Sequence, residues 1–237
     1  MKKLAIVDIR IPDTCAASLT SLGFEIVKLP AFSRLSEPVA SHPDMLLCPI
    51  DNKIITHKEY FEQNRDIFDL ISKRTDKKII ISDENISADY PCDVSLNALI
   101  MGNFFFSLNS HTSKALLTEA KALGFEIINT KQGYAKCSVC PVSDNAAITA
   151  DTSLADAMSA RGIDVLKISA GSVELPPYDY GFIGGASGYD GENVYFCGSL
   201  DTYPQGKMIA DFCKKHGKTP ISLSDASLLD VGTIFIL

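Results

Sequence analysis

The chain has 237 residues, 46% of them hydrophobic, and carries a formal net charge of −7 at pH 7. Such a length and apolar content suffice for one full hydrophobic core, and the acidic balance, with no local cluster of Lys and Arg, argues against nucleic acid as a partner. No run of about 18 apolar residues occurs, so no membrane span is expected.

Met1-Lys2-Lys3 leads into a first strand, Lys3 to Ile9, that Asp8 and Arg10 interrupt too soon for a signal peptide, so the expected compartment is cytoplasmic. A helix over 13–22 and a strand over 24–29 follow. The hand-over between them, Leu22-Gly23-Phe24-Glu25-Ile26, returns as Leu123-Gly124-Phe125-Glu126-Ile127, and more loosely at Gly162 and Gly217. Glycine adopts the left-handed C′ conformation without a Cβ clash, so the spacing predicts four helix ends feeding four buried strands. Ala31 to Pro43 reads as an irregular surface connection.

Leu47 to Thr56 then predicts a hairpin about Asp51-Asn52, residues that tolerate positive φ between two apolar runs. A helix of about Lys58 to Arg74 lacks a closing glycine and runs into Ile79-Ile80-Ile81. Further strand pairs are predicted over Asn97 to Ser107 about Gly102-Asn103, over Val139 to Thr149 about Asp144-Asn145, and over Tyr180 to Gly198 about Tyr189 to Asn193. Asp151 fits the N-cap of a helix over 152–161, and Thr202 with Gln205 fits a capping box before the last helix. Leu228 to Leu237 reads as a strand pair with no helix after it.

Four units of two strands, a helix and a strand thus fall inside the chain, and the two ends together supply a fifth. Repeats of about 40 to 55 residues imply a propeller or array, and termini that complete one unit fasten a ring. The expectation is one domain over 1–237. A doubly wound parallel sheet is the competing fold, but it explains the hairpins badly, because parallel strands are joined by long crossovers.

The seven cysteines lie mostly within apolar runs, where a reduced thiol behaves as a small hydrophobe. Cys137 and Cys140 form the one C-x-x-C. Aligning the hairpins puts Cys140 on Cys48 and gives both the same core slot, whereas Cys137 has no counterpart and precedes its strand. Beside Lys136 it is either a functional thiol or a structural one. The run Gly181 to Gly188 contains Gly184 and Gly185, which either expose amides to a ligand or allow another backbone to come close. No helix follows it, so no dinucleotide site is expected, and the sequence predicts neither a cofactor nor a bound metal. Tyr134, Cys137, Asp201, Asp230, His42 and His111 are the candidates for convergence on the ring axis.

Five such units with the last closed across the termini resemble the pentein fold of guanidino-group-modifying enzymes. The stretches Gly133 to Asp151, Gly181 to Gly188 and Leu229 to Ile234 are also similar to an uncharacterised, largely clostridial bacterial family assigned that pentein-like α/β propeller. The resemblance implies a Cys nucleophile near the C-terminus and a His in Gly-His-x-Asp. Here Ser199 stands in place of that His in Gly198-Ser199-Leu200-Asp201, and the tail from Asp230 to Leu237 has no Cys. Two readings follow. In the first, the ring binds a small polar or cationic ligand of guanidino or amide type in an axial pocket lined by Tyr134, Lys136, Gly184, Gly185 and Asp230, and an oligomer is compatible with it. In the second, Cys137 is a relocated nucleophile, with Asp201 or Asp230 holding an amidine, guanidino or amide substrate.

Overall fold

The computed structural model describes residues 3–237. Strand β1 (Leu4–Asp8) is buried along its whole length, as expected of an apolar run with no polar alternation, and is followed by α1 (Asp13–Ser21) and β2 (Glu25–Leu29). A four-residue helix α2 (Pro43–Leu46), with Pro at its first position, turns the chain into the hairpin β3 (Leu47–Ile50) and β4 (Lys53–His57). Asp51 takes φ 49° at the tip. The single helix expected over 58–74 is instead α3 (Lys58–Gln63) and α4 (Arg65–Thr75). Asn64 divides them: its Nδ2 donates to the Tyr60 carbonyl at 2.9 Å and its backbone leaves helical geometry, the competition with the helix typical of Asn. Strand β5 (Lys78–Ser82) completes this unit.

The third unit is β6 (Leu99–Met101), β7 (Phe104–Ser107), α5 (Lys114–Ala122) and β8 (Glu126–Asn129). A second short helix, α6 (Ala135–Ser138), precedes β9 (Val139–Ser143), β10 (Ala146–Thr149), α7 (Thr152–Ser159) and β11 (Asp164–Lys167). Asp151 caps α7 by accepting from the Leu154 amide at 2.8 Å. In the last unit β12 (Ser187–Tyr189) is much shorter than the strand expected from Tyr180. It is followed by β13 (Asn193–Phe196), α8 (Gly206–Lys215) and β14 (Thr219–Ser222). The capping box at Thr202 does not form. Gln205 Oε1 accepts from the Ser169 amide, and Thr202 Oγ1 donates to the Ser199 carbonyl.

Gly23, Gly124, Gly162 and Gly217 all have positive φ, between 69° and 96°, so the four predicted helix ends are helix ends. Within each unit the first strand pairs antiparallel with the second, and the second pairs parallel with the third across the helix. The tail supplies one strand rather than the expected pair, β15 (Ile234–Ile236), because residues 228–233 run as a loop. β15 pairs antiparallel with β1, which pairs parallel with β2, so the termini build a unit with the connectivity of the other four. β15 also pairs parallel with β12, merging two units into the six-stranded order β14-β13-β12-β15-β1-β2. The mixed pairing excludes the doubly wound parallel sheet.

The first strands of the five units surround one axis. Pro49 of β3, Ile100 of β6, Pro141 of β9, Tyr189 of β12 and Phe235 of β15 face a single depression of about 220 Å³ at one mouth of the ring. The repeat extends to side-chain bonds: Thr56 Oγ1 donates to the Leu46 carbonyl and Thr149 Oγ1 to the Ser138 carbonyl, both at 2.8 Å. Cys48 and Cys140 occupy equivalent buried positions in their strands, and burial pushes their thiols up to about 12 and about 11. No described helix is long and apolar enough to cross a membrane.

Candidate functional site

The two short helices, α2 and α6, aim their side chains at the axis from units two apart in the ring, with the β6–β8 unit between them. Leu47 pairs with Thr56 and Val139 with Thr149, so counting back from these strand starts makes Asp44 the counterpart of Lys136 and Met45 that of Cys137. Asp44 Oδ2 accepts from the Thr233 hydroxyl at 2.7 Å and from the Cys137 thiol at 3.1 Å. Asn97, just before β6, closes the group. Its Oδ1 takes the backbone amides of Lys136 at 2.8 Å and Cys137 at 3.2 Å, and its Nδ2 lies 2.9 Å from Cys137 Sγ. Asp44 Oδ1 is buried without a protein partner.

Lys136 and Cys137 are adjacent in sequence but do not act together. Lys136 Nζ donates to Thr233 Oγ1 at 3.1 Å and faces the mouth lined by the first strands, while Cys137 faces the opposite one. Burial lowers the Lys136 amine from its ordinary value, opposed by the Asp44 carboxylate. Burial raises the Cys137 thiol well above its ordinary value, and the charges of Asp44 and Asp230 push the same way. The geometry therefore stores Cys137 as a thiol hydrogen-bonded to a carboxylate, where the sequence suggested a thiolate beside an ammonium.

On the Cys137 side lies a cavity of about 440 Å³, lined by His42, Tyr90, Asp93, Tyr134, Cys137, Tyr178, Asp179, Tyr180, Phe182 and Asp230 among others. Tyr134 is its central wall, 5.3 Å from the ring of Tyr90 and 6.0 Å from that of Phe182. The Tyr134 hydroxyl donates to Asp93 Oδ2 at 2.6 Å. Asp93 is 2% exposed, its Oδ1 has no protein partner, and burial lifts its carboxyl above the usual range. Asp230 accepts from the Phe182 and Gly232 amides at 2.8 and 2.9 Å, and burial raises it also, opposed by His42. His42 lies between two carboxylates, with Nδ1 3.8 Å from Asp230 Oδ1 and Nε2 3.8 Å from Asp8 Oδ2, too long for direct hydrogen bonds. Burial alone would raise Asp8, but hydrogen bonds from Arg10 and Ser41 outweigh it and hold the carboxyl below its usual value. Among the described residues, no Lys or Arg lines this cavity.

Of the residues singled out in the sequence, Tyr134, Cys137, Asp230 and His42 meet here. Gly184 and Gly185 do not line the cavity; they are close-packing glycines. A Cβ on Gly184 would lie 2.3 Å from the Val139 carbonyl oxygen, one on Gly185 would lie 1.9 Å from Asp230 Oδ1, and the Gly185 amide already donates to the Cys137 carbonyl at 2.9 Å. Asp201 is exposed on a 3-10 turn, and its amide donates to Ser199 Oγ. His111 is exposed, away from the axis. Cys137 and Cys140 belong to different core clusters, so their sulfurs do not converge. Asp44, Asp93, Asn97 and Thr233 were not singled out in the sequence. Extending the hairpin alignment backwards would have set Asp44 against Lys136; Asp93 and Asn97 carry no such signal.

A ring of five ββαβ units with a polar axis defines a pentein fold, and the solved structures similar to this chain are of that fold. They include a mutant DDAH from Pseudomonas aeruginosa complexed with citrulline, with TM-score 0.60, 11% identity, and coverage of 95% of this chain and 93% of that one. An agmatine deiminase from C. jejuni has TM-score 0.56 and 10% identity over 94% and 88%. The amidinotransferase SxtG from Microseira wollei has TM-score 0.55 and 14% identity over 97% and 94%. No curated protein matches the chain. By sequence, the chain belongs to the family of unknown function DUF6873, whose profile spans residues 6–235.

Proposed function

We propose that the axial cavity binds a small organic cation of guanidinium or amidinium type. The observation that carries this reading is Asp93, a buried carboxylate with one oxygen unpartnered, set among Tyr90, Tyr134 and Phe182. A buried carboxylate left half-satisfied is costly, and a planar N–H donor stacked between aromatic rings supplies both the missing hydrogen bonds and the compensating charge. Asp230 and, at the rim, Asp179 add negative potential. Because no Lys or Arg lines the wall among the described residues, a ligand tail ending in an amine or an alkyl group is favoured over one ending in a carboxylate.

The test is calorimetric and thermal titration of the full chain with alkylguanidines, guanidinoalkylamines and guanidino acids. A ligand at about 100 times its dissociation constant adds about 2.7 kcal/mol to stability. Affinity is expected to rise with pH as the Asp93 carboxyl ionises, since burial lifts that carboxyl above its usual range and the cation selects the charged form. Asp93→Asn should remove binding at least about tenfold, the loss of a charge-assisted pair. Absence of any interaction with the whole panel would defeat the reading.

A second reading rests on one contact, Cys137 Sγ to Asp44 Oδ2 at 3.1 Å. A bound cation offsets the two negative charges that keep the thiol protonated, Asp44 takes the proton, and the sulfur adds to the electron-poor carbon as a C=N electron pair moves onto nitrogen; that pair returns as a C–N bond breaks and the departing amine takes the proton from Asp44, and water then cleaves the S–C bond and restores the thiol. Release of ammonia or an amine that Cys137→Ser abolishes would favour this reading; tight binding without turnover favours the first.

A further inference from the structure

Away from the axis, a second pair of side chains is arranged for chemistry. Cys15, in the first turn of α1, and Cys197, directly after β13, are 182 residues apart in sequence yet bring their sulfurs to 3.6 Å. Both are buried. The nearby hydroxyls of Ser224 and Thr14 and the amide of Gly198 also act to lower the Cys15 thiol. These donors, together with the N-terminal turn of a helix, favour a charged sulfur there. Hydrogen bonding from Cys197 is the largest cause lowering the Cys15 thiol, and the same bond raises Cys197. Every other cysteine thiol with a resolved shift is raised. The cover over Cys15 is thin, since Thr14 is exposed and Ser224 is half-buried at the start of an exposed bend, Asp225 to Ser227.

We propose that Cys15 and Cys197 form a thiol pair that a small peroxide oxidises to an intramolecular disulfide. The Cys15 thiolate attacks one peroxide oxygen; the S–O bond forms, the O–O bond breaks, and hydroxide leaves and is protonated to water. Cys197 then attacks the sulfenic sulfur; the S–S bond forms, and the S–O bond breaks with loss of a second water carrying the Cys197 proton. The two sulfurs give up two electrons and the peroxide accepts them. The sulfurs must close from 3.6 Å to about 2.0 Å, a shift that side-chain rotation and a small movement of α1 supply. The Leu229 amide donates to the Cys197 carbonyl at 2.8 Å, so the link forms next to the segment that carries Asp230.

The experiment uses the reduced full chain, treated with hydrogen peroxide, quenched, alkylated and digested for mass spectrometry. The expected product is a peptide pair joined through Cys15 and Cys197. In Cys197→Ser, the sulfenic acid should persist and be trapped on Cys15 by dimedone. Cys92, the exposed cysteine, is the internal comparison. Recovery of Cys15 fully alkylated while Cys92 is oxidised would overturn the proposal, as would a Cys15 bridge to any partner other than Cys197. Should Cys197→Ser fail to fold, the peptide pair from the wild-type chain decides alone.

Discussion

Cys137 shows how one neighbour changes the chemistry of a residue. Lys136 beside it in sequence promised an activated thiol, but helical geometry sends adjacent side chains in different directions, and the sulfur meets Asp44 instead. Labelling of Cys137 by a thiol-reactive probe at neutral pH should therefore be slow. Asp44→Asn removes a charge that raises the thiol and should speed labelling about tenfold, the effect of one pKa unit; an unchanged or slower rate would show that the Asp44 charge does not keep the thiol protonated. His57 is buried, its Nε2–H donates to the Met45 carbonyl at 3.1 Å, and its Nδ1 has no partner. Burial lowers it to about 4 from an unfolded value near 6.5. The unfolded chain thus binds the proton first. Stability from this group is fully present above about pH 6.5 and is lost as pH falls towards 4, by about 3 kcal/mol. Urea unfolding of the wild type and His57→Gln across that window measures it, and parallel curves for the two proteins would refute it.

At the scale of the element, what could be read from sequence was what local backbone chemistry decides. Gly23, Gly124, Gly162 and Gly217 mark helix ends because only a residue without Cβ turns left-handed cheaply, and Asp51 marks a hairpin for a related reason. A Cβ on Gly124 would touch nothing within 4 Å, so Gly124→Ala isolates the backbone term. Denaturant titration should give a loss of about 1 kcal/mol, with Gly124→Asn losing less. A neutral Gly124→Ala would mean that the helix end simply shifts. Where tertiary context decided, sequence reading failed. The Asn64 break is a local competition for the Tyr60 carbonyl that helical periodicity hides, whereas the short β12 and the lone tail strand β15 are set by pairing with other units. The polar axis was missed in part for the same reason: Asp44 lies 53 residues from Asn97 and 189 from Thr233, and only ring closure brings the three together. Thr233 is a β-branched residue held at φ 72°, a strained conformation that no local pattern announces.

For the whole molecule, the closing unit is the decisive joint. β15 lies between β12 and β1, and Leu4 and Leu237 exchange backbone hydrogen bonds at 2.8 and 2.9 Å, so the described ends of the chain are neighbours in one sheet. If stability comes from the closed ring rather than from the order of synthesis, the position of the chain break should matter little. A permutant with residues 237 and 1 joined by a short Gly-Ser linker and reopened between Ala170 and Gly171 breaks an exposed connection between units and no strand pairing. It should unfold in a single transition within about 2 kcal/mol of the parent, the loss being loop entropy alone. Deleting residues 234–237 from the parent instead leaves β1 and β12 with unpaired edges and uncovers the core face of Val7 and Tyr195, beside which Ile234 is buried. That truncation should lose cooperative unfolding and the proposed cation binding together, because Asp230 and Thr233 approach the axis only while β15 is seated. A truncated chain that still binds the cation would mean that the axis is organised by the other four units, and that closure serves stability without shaping the site.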